Sequence, residues 1–224
     1  MKEIIEKIQK EKIITIVRGI EKEKIIPLAQ ALYDGGIRLI ECTYDASEII
    51  SDEQTASNIE MLVKHFGQKM VVGAGTVLTE KQVELTKKAG GKFVISPDTN
   101  SDIIKKTKEL GLVSIPGALS PTEIAAAVRF GADFVKIFPI GSMGYKYTKD
   151  VKAPLSNVKI LAVGGVDENN MKDFFNAGAC GIGIGSGIVK KKIFYGFLVI
   201  IGKITEKEKG KHIIAKIVCI HRSA

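Results

Sequence analysis

Two isolated charges inside apolar runs mark where this sequence could do chemistry. The run Phe134-Val135-Lys136-Ile137-Phe138-Pro139 carries a lysine with apolar neighbours on both sides, and lysine is rarely fully buried without a partner. Burial disfavours the ammonium form, and a neutral amine is the nucleophile that carbonyl attack requires. The plain alternative is a lysine whose stem packs while its head reaches water at the strand end. The run Leu39-Ile40-Glu41-Cys42-Thr43 holds the second charge. In a strand Leu39, Glu41 and Thr43 share one face, and a buried carboxyl beside a neutral lysine makes a proton-transfer pair. A structural salt bridge from Glu41 to Lys136 or to Arg18 fits the same spacing. Arg18, at the end of IITIVR, is open between holding an anionic substrate and being an ordinary strand-end charge.

Two glycine-rich turns add a binding element. Gly164-Gly165 follows KILAV (159–163), and Gly185-Ser186-Gly187 follows GIGI, just before a helical pattern. Backbone N–H groups of two such loops, with a helix N-terminus, can cradle a phosphate. One Gly-Gly pair alone is ordinarily only a turn; two at neighbouring strand ends point further.

The elements that must position these residues are regularly punctuated. Eight short, mostly β-branched runs are IITIV (13–17), IRLIECT (37–43), MVVGAG (70–75), KFVIS (92–96), LVSIP (112–116), DFVKIF (133–138), KILAV (159–163) and GIGIG (181–185). Helical patterns lie between most of them. Thr79 with Gln82, and Ser120 with Glu123 and Pro121, read as capping boxes. Gly35-Gly36, Gly90-Gly91, Gly111, Gly131 and Gly178 read as helix stops. Strand and helix alternating in this way predict parallel strands with helical crossovers, and eight units predict an α/β fold of the (β/α)8 TIM-barrel type. A doubly wound open sheet is the alternative, but it places its phosphate-binding glycines after the first strand. Here that position holds only Arg18-Gly19.

Composition narrows the function classes. The chain has 224 residues, 45% of them apolar, and a formal charge of +8, enough to bury one full core and too apolar for disorder. The charge is uneven: residues 190–224 hold nine Lys and Arg against two Glu, whereas residues 1–189 hold 24 basic and 23 acidic side chains. The expected organisation is one catalytic barrel over 1–205 and a basic C-terminal segment over 206–224, with 193–204 available for an eighth outer helix. Cys42, Cys180 and Cys219 are too widely spaced for a disulfide framework or a paired-thiolate zinc site, and His65, His212 and His221 are the only histidines. No metal and no cofactor is expected. The start, MKEIIEKIQKEK, is amphipathic and acid-bearing, unlike a signal peptide. The longest apolar run, IFYGFLVIIG (193–202), is too short for a bilayer. A cytoplasmic protein with reduced thiols, binding neither membrane nor nucleic acid, is the expectation.

An ordered set of motifs then carries a resemblance. IVRG, GGIRLIECT, VVGAGTVLT, FVISP, SIPGALSPTEI, ADFVKIFP, AVGGV and GIGSGIV, spread over residues 10–190, resemble the class I aldolases acting on 2-keto-3-deoxy-6-phosphogluconate and 4-hydroxy-2-oxoglutarate. The resemblance implies a 2-keto acid substrate cleaved to pyruvate and an aldehyde, with Lys136 forming the Schiff base and Glu41 shuttling protons. It implies Arg18 and Thr76 at the substrate's anionic end, Pro97 and Phe138 in the substrate-binding surface, and Gly164, Gly165 and Ser186 near a phosphate. It also implies a homotrimer. Three features depart from the family pattern: Asp45 stands where an arginine is frequent, Asp98 follows Pro97 where glycine is frequent, and the resemblance fades near residue 190. Two other readings stay open at this point. One is a phosphate-binding barrel isomerase or synthase; the other is a non-catalytic binder that uses the basic tail.

Overall fold

The amphipathic start folds as helix α1 (Lys2–Glu11), and its apolar stripe explains its place: Ile8 is fully buried, packed with Ile4 and Ile5 against side chains of the barrel lumen. The computed structural model describes residues 1–185 in full and, beyond them, the backbone of two strands at 200–206 and 213–219. The eight apolar runs become nine parallel segments: β1 (Ile13–Val17), β2 (Leu39–Thr43), β3 (Val71–Gly75), β4 (Phe93–Ile95), β5 (Val113–Ile115), β6 (Gly117–Ala118), β7 (Val135–Ile137), β8 (Ile160–Val163) and β9 (Gly181–Ile184). Their sheet order is β5-β4-β3-β2-β1-β9-β8-β7-β6. β5 and β6 are halves of one run, interrupted at Pro116, which has no N–H to give to a ladder. One half pairs with β4 and the other with β7, so the chain itself joins the two ends of the sheet. The barrel is the expected one, and the open-sheet alternative is set aside.

Seven outer helices are described: α2 (Lys22–Asp34), α3 (Asp52–Phe66), α4 (Glu80–Lys88), α5 (Ser101–Glu109), α6 (Pro121–Phe130), α7 (Gly144–Lys152) and α8 (Met171–Asn176). Both capping boxes form, at Thr79/Gln82 and Ser120/Glu123, with Pro121 in the first turn. α6 stops at Gly131, whose φ of 103° lies in the left-handed region that favours glycine. Of the segment 193–204, read above as available for a helix, residues 193–199 lie outside the described residues. Residues 200–204 belong to β10 (Ile200–Glu206), paired antiparallel with β11 (Ile213–Cys219) from Ile200↔Cys219 to Glu206↔Ile213. Both runs are rich in β-branched residues, which suit a strand better than a helix.

Alternation along each strand sorts the core into two. Ile13, Val17, Ile40, Cys42, Val135, Ile137, Ile160 and Ala162 pack outward against the helices. Ile14, Leu39, Val71, Phe93, Val113, Phe134 and Leu161 fill the lumen. The lumen is crowded enough to require glycine on β3. A Cβ on Gly73 would fall 2.3 Å from the Phe93 ring, and one on Gly75 would fall 1.5 Å from the Glu41 carboxylate. Gly73→Ala is expected to destabilise the fold by about 1–3 kcal/mol through overpacking. Urea unfolding checks this; an unchanged midpoint would show that Phe93 can move aside freely.

Candidate active site

Lys136 is the central residue of β7. Its neighbours Val135 and Ile137 face the helix layer, which turns Lys136 into the lumen above Phe134. Only 7% of it is exposed. Glu41, the central residue of β2, is 3% exposed and points to the same lumen over the space left by Gly75. Each lies two residues further along the chain than a lumen-filling residue, Phe134 or Leu39, on the side of the barrel whose strand ends form active sites. Among the described residues no ion pair within 4.0 Å joins Glu41 to Lys136 or to Arg18. Neither salt bridge left open by the sequence is formed, and the Lys136 head is inside the barrel rather than free in water.

Burial acts on the two groups in opposite senses. It lowers the Lys136 amine below the usual lysine value, against the Glu41 charge, which favours the ammonium; the Arg18 charge lowers it further. Burial likewise raises the Glu41 carboxyl above the usual carboxylate value, against the attraction of Lys136 and Arg18. A lysine moved toward its neutral form faces a carboxyl moved toward its protonated form. This pair can add an amine to a ketone and carry protons in the later steps of the reaction.

The other predicted residues gather around this pair from the loops that follow the strands. Arg18 directly follows β1, and its Nη2 donates to Thr76 Oγ1 at 3.4 Å. Thr76 follows β3 with a φ of 54°, a conformation that costs a β-branched residue and is typical of functional sites. Pro97 follows β4, where its carbonyl lies so close to Gly117 that a Cβ there would sit 2.2 Å away. Gly117 is in turn the ladder neighbour of Lys136. Phe138 is 40% exposed, and its ring centroid lies 4.7 Å from Lys136 Nζ. Gly164 and Gly165, with φ of 85° and 81°, turn beneath it. A Cβ on Gly164 would fall 2.9 Å from the Phe138 ring, so glycine lets turn and ring meet. The structure therefore brings together Lys136, Glu41, Arg18, Thr76, Pro97, Phe138, Gly164 and Gly165. Ser186 lies outside the described residues.

Two residues went unassigned in the sequence. Asp98, next to Pro97, exerts its charge on Lys136 and favours the ammonium, the opposite of Arg18. Its position was visible only as an unusual residue in SPDTN. Thr43, on the Glu41 face of β2, is buried and donates to the Val17 carbonyl at 3.4 Å, tying β2 to the base of Arg18. The Asp45 carboxylate is engaged by its own loop: it accepts from Ser47 N at 3.0 Å, Ser47 Oγ at 2.6 Å and Ile50 N at 3.1 Å. These bonds, the Ser47 hydroxyl first, hold its carboxyl below the usual range. Among the described residues no three His, Cys, Asp or Glu side chains converge as metal ligands, and no helix is long and apolar enough to cross a membrane.

Comparison with known proteins places this chain among aldolases. The profile of the family described as KDPG and KHG aldolase matches residues 4–197. A 2-dehydro-3-deoxy-6-phosphogalactonate aldolase of Escherichia coli is 33% identical over 183 residues, covering 81% of this chain and 86% of its own. A 2-dehydro-3-deoxy-phosphogluconate aldolase of Haemophilus influenzae is 32% identical over 196 residues, covering 86% and 88%. Among solved structures, a native KDPGal structure superposes with a TM-score of 0.74 at 32% identity, over 80% of this chain and 84% of that one. The KDPG aldolase of Legionella pneumophila, captured with pyruvate as a covalent carbinolamine intermediate, gives 0.74 at 27% identity over 83% and 87%.

Proposed function

The chain belongs to the KDPG and KHG aldolase family, and from that premise we propose that it cleaves a 2-keto-3-deoxy-6-phospho sugar acid, or 4-hydroxy-2-oxoglutarate, through an imine on Lys136. The products are pyruvate and an aldehyde, glyceraldehyde 3-phosphate or glyoxylate. The observation that carries this is the buried Lys136 amine, its pKa lowered by desolvation, which makes no ion pair with Glu41 or any other of the described residues. The carbinolamine captured in the Legionella relative supports the same chemistry. The isomerase, synthase and tail-binder readings give way to this one.

The mechanism follows from the two side chains. The neutral Lys136 amine adds to the C2 ketone, and loss of water leaves a protonated imine. Glu41 takes the C4 hydroxyl proton as the C3–C4 bond breaks, and that electron pair flows to the imine nitrogen, giving an enamine and releasing the aldehyde. Glu41 then returns its proton to C3, and water hydrolyses the imine to free pyruvate and the amine. Burial over Phe134 desolvates Lys136 and disfavours a permanent ammonium.

Arg18, with Thr76, holds the anionic end of the substrate, a role that Asp45, itself an anion bound to its own loop, cannot share. Gly164 and Gly165 receive a phosphate. Assays of pyruvate release from phosphorylated and unphosphorylated 2-keto-3-deoxy acids test the substrate assignment. Arg18→Gln is expected to raise KM about tenfold or more while changing kcat less; an unchanged KM would remove Arg18 from the substrate site. The homotrimer and the cytoplasmic location belong to the same proposal. Exposed Val128, Phe130 and Tyr145 on α6 and α7 supply apolar surface for subunit contact. Light scattering on the purified protein reads the subunit number.

A further inference from the structure

A second concave site lies at the opposite end of the barrel, under α1. Its volume is about 410 Å³, within the range of small-molecule pockets. Three lysines from three separate segments line it: Lys7 of α1, Lys87 of the last turn of α4, and Lys92 before β4. Among the described residues, Glu3 is the one acidic side chain in the lining. Lys7 Nζ donates to the Gln68 carbonyl at 2.9 Å, whereas Lys87 and Lys92 have no ion pair among the described residues. Lys87 Nζ stands over bare backbone, 3.9 Å from where a Cβ on Gly111 would be. A lysine in a helix's last turn ordinarily complements the helix dipole. That role accounts for one cation at the end of α4, and not for three converging on one cavity from α1, α4 and a loop.

We propose that this pocket binds the phosphate group of a small metabolite, or free phosphate, at a site separate from the catalytic lumen. The chemistry favours a phosphate dianion because lysine heads are point charges that suit a tetrahedral anion, with no planar fork demanding a carboxylate. Gly111, whose Cβ position would lie 3.9 Å from Lys87 Nζ, puts no side chain on this wall, so an anion beside Lys87 can approach the backbone. An occupant also bridges α1 to the barrel body. Ile8, the residue after Lys7, is buried among the lumen side chains that include Phe134, directly below Lys136. Binding here stabilises the fold by mass action and holds the floor of the lumen in place.

Titration of the ¹⁵N-labelled full chain with inorganic phosphate and with glycerol 3-phosphate tests this. Saturable shifts are expected at the amides of Gly90, Gly91, Lys92 and Gly111, apart from any at Gly164 and Gly165. Tighter binding of glycerol 3-phosphate supports a phosphorylated metabolite; equal binding supports the free ion. The double substitution Lys87→Gln/Lys92→Gln is expected to weaken binding at these amides about tenfold or more and to leave the rate of pyruvate release unchanged. Glu3→Gln is expected to tighten it, since the opposing charge is gone. Shifts confined to Gly164 and Gly165, or an affinity indifferent to all three substitutions, would overturn the proposal. Its failure would leave the aldolase assignment standing, because none of these residues touches the lumen.

Discussion

Lys136→Met is expected to abolish aldol cleavage, lowering kcat/KM by about 10⁴-fold or more, the scale seen when a covalent nucleophile is removed. Methionine matches the length of the lysine stem and lacks only the amine, so it can lie along Phe134 and Leu161 in the same lumen. Removing a desolvated amine costs no ion pair among the described residues, because none of them holds it in one. Thermal unfolding of the variant is therefore expected at or above the wild-type midpoint. A folded variant with substantial activity would mean that the imine forms elsewhere. A variant that loses both activity and fold would leave the role of the amine to a second substitution, Lys136→Arg, which keeps a positive charge but cannot form the imine at neutral pH. It is expected to be equally inactive.

Glu41→Gln is expected to lower kcat by about 10²- to 10⁴-fold, the range for a positioned acid–base group. The amide is isosteric and fits the space over Gly75 that the carboxylate occupies now. Imine formation is expected to survive, because the nucleophile is intact, so borohydride with pyruvate should still inactivate the variant. The pH dependence carries a sign. The Glu41 charge favours the Lys136 ammonium, so its removal lowers the lysine pKa further. The neutral amine then persists to lower pH, and the acidic limb of imine formation moves downward. An upward move, or no loss of kcat, would make Glu41 a structural residue. The distinction is sharp because the two expected results come from one charge: it carries the proton and also holds the amine's pKa up.

How much of this was legible in the sequence depends on how local the signal is. Capping boxes at Thr79 and Ser120 and the stop at Gly131 involve residues within one turn, and they form as read. Lys136 and Glu41 stood out because a charge in an apolar strand has a high cost, whatever surrounds it. Alternation then fixed their faces, and parallel pairing brought both to the lumen. Features made by distant segments were not legible. Asp98 reaches Lys136 only because the β4 loop crosses over Gly117. Asp45 could be counted as an opposing charge, but its partners Ser47 and Ile50 decide where it points. The basic pocket under α1 needs Lys7, Lys87 and Lys92 from segments with no common periodicity. The split of LVSIP and the following residues into two strands follows from Pro116, whose missing N–H was visible, but the change of partner there was not.

The charge pattern also separates what is catalytic from what is not. The residues of the proposed mechanism lie in the near-neutral part of the chain, and the excess of lysine and arginine lies after residue 189. β10 and β11 occupy part of that segment. Removing residues 206–224 is a natural comparison for every assay named above, since Lys136, Glu41 and Arg18 are supplied by strands far from it in sequence.

The central claim is that Lys136 is the amine that forms the imine. Incubating the wild-type chain with pyruvate and sodium borohydride, then sequencing its peptides by mass spectrometry, reads this directly. The expected result is a single reduced pyruvate adduct on Lys136, with activity lost in proportion to its yield. An adduct on a different lysine, or an active protein that forms none, would contradict the account.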